Sequence, residues 1–121
     1  METRFFPRVE VQFKLSVMLD ESPEQIIALD SGKSFEAVAT NISEGGLGLS
    51  IKKYYIPKGA GVEIAMNGAP LDLQKEMRFK AEVRYCNNIK FNTYRCGVKF
   101  IDISEEYRDC IKKFVVLHTK K

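Results

Sequence analysis

From Val9 to Leu19 every second position is apolar: Val9, Val11, Phe13, Leu15, Val17 and Leu19 stand against Glu10, Gln12, Lys14 and Ser16. A period of two marks a half-buried strand. A second strand is expected over Ser34 to Ile42, a third carries Leu47, Leu49 and Ile51, and a fourth carries Val62, Ile64 and Met66. The fifth run sets Met77, Phe79, Ala81, Val83 and Tyr85 against Arg78, Lys80, Glu82 and Arg84. The sixth, Tyr94 to Ile101, alternates Cys96, Val98 and Phe100 with Arg95, Gly97 and Lys99. Turn formers punctuate these runs at Glu44-Gly45-Gly46, at Pro57, Gly59 and Gly61, at Asn67-Gly68-Ala69-Pro70 and at Asn87-Asn88. The polar stretch Asp20 to Lys33 reads as a long connection with a helical turn around Pro23 to Leu29.

Short strands with one polar side bury their apolar face and protect their edges best by closing on themselves. The expected fold is therefore mostly β, a small six-stranded antiparallel β-barrel over residues 9–101. After it the period changes. Tyr107, Ile111, Phe114, Val115 and His118 recur at helical spacing, which predicts a C-terminal α-helix within 102–121. Asp102 or Ser104 is placed to cap it, and Glu105 and Glu106 fall at its positive end. Residues 1–8 form an arm before the first strand, where Pro7 disfavours a helical Phe6. With no internal repeat and no shift in composition, the 121 residues are expected to form one domain.

Composition narrows the function classes. A 45% hydrophobic chain of this size can sustain a core without disulfides or a structural metal. The cysteines, Cys86, Cys96 and Cys110, are odd in number and form no C-x-x-C pair. They are expected to be reduced and packed, with Cys86 and Cys96 facing each other if their strands pair. Nineteen basic and 16 acidic residues give a net charge of +3, which suits a small anion but falls short of the stripe that grips a nucleic acid polymer. No secretion signal and no apolar run near 20 residues is present, so a cytoplasmic protein without membrane insertion is expected. The single histidine, His118, stands apart from any grouped nucleophile, base and acid, and neither a phosphate-binding glycine loop nor metal-ligand spacing occurs. The expectation is not an enzyme, with no metal and no cofactor.

Two short motifs carry the chemistry. Arg4-Phe5-Phe6-Pro7-Arg8 reads R-x-x-x-R, and Asn41-Ile42-Ser43-Glu44-Gly45-Gly46 reads N-x-S-x-x-G. An arginine fork can bond guanine O6 and N7 together, pair bidentately with phosphate and stack on a base. Asn41 and Ser43 offer donors and acceptors for a polar base edge, and their spacing of two puts both on one face of a strand end. Gly46 permits close approach or a positive φ. Arg84, opposite the apolar row of the fifth strand, is a second-tier candidate for the same surface.

The paired motifs resemble those of the PilZ family, receptors for the bacterial second messenger cyclic di-GMP. The resemblance extends through Leu47-Gly48-Leu49 and to Tyr94-Arg95-Cys96-Gly97-Val98-Lys99-Phe100, similar to the late G-V-x-F strand of that family. It implies a β-barrel receptor in which Arg4, Arg8, Asn41, Ser43 and Gly46 hold cyclic di-GMP. It also implies an arm ordered by the ligand, and a downstream protein controlling motility, biofilm or surface polysaccharide. Many members place arginine immediately before R-x-x-x-R; here Thr3 stands there, which bears on whether one ligand or a stacked pair is held. The alternatives are a ligand-independent interaction adaptor and, behind it, a small-barrel nucleic-acid binder. The apolar run Phe114-Val115-Val116-Leu117 suits packing on the barrel and, second to that, a homodimer contact.

Overall fold

The computed structural model describes residues 7–19 and 34–119. Six strands form: β1 Val9–Leu19, β2 Ser34–Ile42, β3 Gly46–Lys52, β4 Gly61–Asn67, β5 Glu76–Lys90 and β6 Thr93–Asp102. They close into one antiparallel barrel in the order β1-β2-β3-β6-β5-β4, sealed where Leu15 to Leu19 of β1 pair with Met66 to Val62 of β4. The alternating apolar positions do meet inside. Val17, Ala39, Ile42, Ile51, Val62, Ile64, Met77 and Ala81 have no accessible surface, and the Phe79 and Phe100 rings pack edge to face at 5.2 Å. A core of this kind holds the barrel through area removed from water, worth roughly 2 kcal/mol for each large aliphatic side chain.

Helix α1, Glu105–Thr119, covers the barrel end at which β6 finishes. Of its two expected caps, Ser104 is used: its Oγ accepts the Tyr107 N–H at 3.1 Å. Ile111 and Val115, one turn apart, complete the barrel core, and Phe114 meets Phe13 of β1 edge on at 5.8 Å. Lys75 fastens the first turn through Glu106 at 2.9 Å, and that carboxylate raises the lysine pKa. Val116 and Leu117 stay exposed on the far side. No helix among the described residues is long and apolar enough to cross a membrane.

Simple alternation fails along β5. Val83 pairs with Val98 but Tyr85 pairs with Gly97, so Arg84 is an extra residue in β5. This bulge flips the strand: Tyr85, expected on the core face with Val83, lies outside, and Cys86 takes the inward place. Asn87-Asn88, expected as the turn, instead lie within the hairpin, pairing with Arg95 and Tyr94, and the chain reverses at Phe91 and Asn92. Asn92 takes the positive φ of 54° that the reversal needs, while Asn88 Nδ2 donates to the Lys90 and Thr93 carbonyls. The expected helical turn around Pro23 to Leu29 lies outside the described residues.

Candidate functional site

The first turn of the site is built by Ser43. Its N–H donates to the Gly46 carbonyl at 3.0 Å, and its Oγ accepts the Gly45 N–H at 3.1 Å, which folds Ser43 to Gly46 into a tight link between β2 and β3. The Gly45 carbonyl then accepts the Phe100 N–H at 3.0 Å, anchoring the link to β6. Ser43 is buried, 8% exposed, with its hydroxyl turned into this local network. Gly46 meets β6 so closely that a Cβ there would overlap the Val98 carbonyl. Its missing side chain makes room for a neighbouring strand.

A bulge places Asn41 differently. Ala39 pairs with Leu49 and Asn41 with Gly48, leaving Thr40 without a counterpart on β3. Ala39 points inward, so strict alternation would send Asn41 inward too; the extra residue turns it to the outer wall, while Ile42 enters the core. Ser43, two residues on, is buried, and its hydroxyl is engaged by the Gly45 N–H and the Gly46 carbonyl. At the wall Asn41 Oδ1 accepts a hydrogen bond from Arg8 Nη1 at 3.0 Å. That bond joins the two sequence motifs across 33 residues. Arg4 lies outside the described residues.

The surroundings of Asn41 contain residues that pattern reading missed. Strand register sets Asn41, Gly48, Gly97 and Tyr85 in one row across β2, β3, β6 and β5. A Cβ on Gly48 would run into the Asn41 amide, and one on Gly97 into the Tyr85 ring. The two glycines thus make a floor of bare backbone, three strand spacings or roughly 14 Å wide, over which Asn41 leans from one side and Tyr85 from the other. Arg95 and Lys99 flank Gly97 at two residues' distance on the same face, both exposed. Glu10, opposite Asn41 on β1, is the nearest acid in the row. The glycines had been visible only as members of a polar face, and Tyr85 was hidden by the Arg84 bulge.

The wall suits a flat, anionic, polar molecule: guanidinium and amide at one side, an aromatic ring at the other, and cations beside the floor. Arg84 is exposed in its bulge, next to Tyr85. The open depression lined by Asn67, Ala69, Gln74, Lys75 and Glu76 contains none of the expected site residues. Among the described residues, no three His, Cys, Asp or Glu side chains group as metal ligands.

In backbone shape the chain is similar to the Bacillus subtilis inhibitor of motility MotI/DgrA, with a TM-score of 0.76 at 12% identity. The superposition covers 98% of this chain and 52% of that one. It is likewise similar to the PilZ domain, with c-di-GMP, of YcgR from Escherichia coli, with a TM-score of 0.70 at 14% identity over 98% and 92% of the two chains. A third neighbour is K. pneumonia MrkH in its c-di-GMP complex, with a TM-score of 0.67 at 15% identity over 96% and 52%. The chain thus spans about half the length of MotI and MrkH. No curated protein matches it in sequence. At these identities the likeness establishes the six-stranded barrel with its closing helix, and the sequence adds lineage: the family model described as PilZ domain matches residues 2–117, so the chain belongs to the PilZ domain family.

Proposed function

We propose that this chain is a cyclic di-GMP receptor that holds its ligand on the outer wall of the barrel, between Arg8 with Asn41 and the ring of Tyr85. The observation that carries this reading is the 3.0 Å bond from Arg8 to Asn41, which unites two motifs distant in sequence at the edge of a side-chain-free floor. Arginine supplies a planar fork for guanine O6 and N7 or for a phosphate. The Asn41 oxygen has a second lone pair to accept from a guanine N–H while it holds Arg8, and its amide nitrogen remains a donor. Arg4, four residues earlier in the arm, is assigned the other guanine or phosphate. Ser43 and Gly46 contribute by fixing the β2–β3 link from which Asn41 projects. Lys99 and Arg95 offer charge to the phosphates, and the open face of Tyr85 offers a surface for a base.

Of the structural neighbours, the YcgR domain and MrkH are solved with c-di-GMP, and MotI is named an inhibitor of motility. YcgR and MrkH support this reading of the ligand, and MotI supports motility as the kind of process it controls. In the proposed mechanism, ligand bridging Arg4, Arg8 and the wall orders the arm, and the composite surface of arm, ligand and barrel is what a downstream protein recognises. Such a switch works only to the extent that the partner's affinity differs between the two states.

Calorimetric titration of the purified chain with cyclic di-GMP, with GTP as control, tests the reading. Saturable binding that Arg8→Ala weakens by roughly 30-fold is the expected result, and its stoichiometry decides between one ligand and a stacked pair. A folded protein that takes up no cyclic di-GMP overturns the proposal in favour of a ligand-independent adaptor. Ordering of the arm is checked separately by amide exchange: residues 1–9 should gain protection at saturating ligand.

A further inference from the structure

One rung beyond the Tyr85–Gly97 pair, on the inner side of the same hairpin, Cys86 and Cys96 stand directly opposite each other. Their sulfurs are 2.7 Å apart, both cysteines are free, and neither has a part in the proposed ligand site. The pair is asymmetric. Cys96 has no accessible surface, whereas Cys86 is half-buried and its sulfur also accepts the Ile56 N–H at 3.5 Å. Hydrogen bonds to a sulfur favour its thiolate, and a thiolate is the form that reacts.

We propose that Cys86 and Cys96 form a peroxide-responsive thiol pair, in which Cys86 is the attacking thiol and Cys96 the resolving one. The Cys86 thiolate attacks one oxygen of a hydroperoxide, the O–O bond breaks, and Cys86 becomes a sulfenic acid while the other oxygen leaves as water or alcohol after taking a proton. The Cys96 sulfur then attacks the Cys86 sulfur, the S–O bond breaks, and the Cys96 proton leaves with that oxygen as a second water. The two thiols are oxidised by two electrons to a disulfide, and the peroxide is reduced by two. Directly opposite residues in an antiparallel pair have Cβ atoms roughly 4.5–5.5 Å apart. A disulfide asks for roughly 3.5–4.5 Å, so the strands need little adjustment.

The donated Cys96 S–H bond, ahead of the opposing effect of burial and the lesser help of Ile56, lowers the Cys86 pKa to about 7. The same bond, with burial, raises that of Cys96. Thiolate at Cys86, and with it the rate of peroxide attack, therefore rises with pH through about 7 and levels off above it. At neutral pH an ordinary thiol of pKa near 8.5 is only about 3% ionised. The larger thiolate fraction at Cys86 is partly offset by the lower nucleophilicity that accompanies a lower pKa. The larger distinction is the outcome, because the Cys96 thiol stands against Cys86 to trap the sulfenic acid.

The test treats the reduced full chain with hydrogen peroxide, blocks remaining thiols with N-ethylmaleimide and reads the unreduced intact mass and peptide map. Loss of two hydrogens, a linked 86–96 peptide and an alkylated Cys110 are expected, with oxidation faster at pH 8 than at pH 6. Cys96→Ser and, as a second route should serine disturb the interior, Cys96→Ala should leave a sulfenic acid at residue 86 that dimedone captures. Cys86→Ser should give neither product. Oxidation that falls first on Cys110, or a Cys86 that proceeds to sulfinic acid without ever linking to Cys96 in the parent chain, overturns the proposal. None of these readouts depends on cyclic di-GMP.

Discussion

Inward, β3 and β6 set Leu47, Leu49, Ile51, Cys96, Val98 and Phe100 against one another until almost no surface remains; outward, the same strands carry Gly46, Gly48 and Gly97. The inner face gains stability by adding atoms, as close-packed interiors do. The outer face at Gly48 and Gly97 leaves them out, and the side chains that lean over the bare backbone come from the strands on either side, Asn41 from β2 and Tyr85 from β5. Neighbouring positions of one strand are thus under opposite demands.

The sharpest way to break this division is Gly46→Ala. Its obstacle is the backbone carbonyl of Val98, which cannot swing aside, so β3 must separate from β6. We expect a loss of about 3 kcal/mol, at the upper end of overpacking effects, read as a lower denaturant midpoint. An unchanged midpoint would mean that the strands slide more freely than their register implies. Next comes Arg8→Ala: an exposed arginine with one side-chain hydrogen bond among the described residues should cost almost no stability, yet removing a charged hydrogen-bond donor from the ligand should weaken cyclic di-GMP binding by about 2 kcal/mol, roughly 30-fold. Comparable losses of melting temperature and affinity would place Arg8 in the scaffold instead.

Gly48→Ala sharpens the comparison, for it lies only two positions from Gly46. What its Cβ would meet is the end of the Asn41 side chain, which can rotate away. The expected result is less than about 1 kcal/mol of destabilisation with roughly tenfold weaker ligand binding, the signature of a displaced amide. The smallest effect is reserved for Thr40. Its Oγ1 is buried at the bulge with no partner among the described residues, so Thr40→Val should be neutral or stabilise by a few tenths of a kcal/mol. A marked destabilisation in thermal melts would reveal that the hydroxyl has a partner after all.

These two faces were not equally legible in the sequence. Period-two runs located all six strands, because burying one side of a strand writes itself into composition, and the change of period found the helix with its Ser104 cap. Bulges leave no such trace. An added residue at Arg84 or Thr40 costs the pattern only one beat, yet it moves Tyr85 outside and Asn41 onto the wall. Asn87 and Asn88 misled for a related reason: asparagine favours turns, but here the pairing of β5 with β6 carries both along the hairpin, and Asn88 serves the carbonyls at its end. The meeting of Arg8 with Asn41 came from motif resemblance alone, since no local periodicity joins residues 33 apart.

The seam between β1 and β4 bears on how the molecule comes to exist. β5 and β6 pair through a short reversal, with Lys90 beside Thr93, whereas β1 must find β4 across more than forty residues, Leu19 beside Val62. Local contacts form early and distant ones late, since the chain between them has to surrender its freedom first. We therefore expect the β5–β6 hairpin to lead folding and the β1 seam to close it, so that pulsed exchange should protect Val83 and Val98 before Val17 and Ile64. Arg8 enters on that last strand. A newly made chain would then be unable to take up the proposed ligand until its final strand had docked.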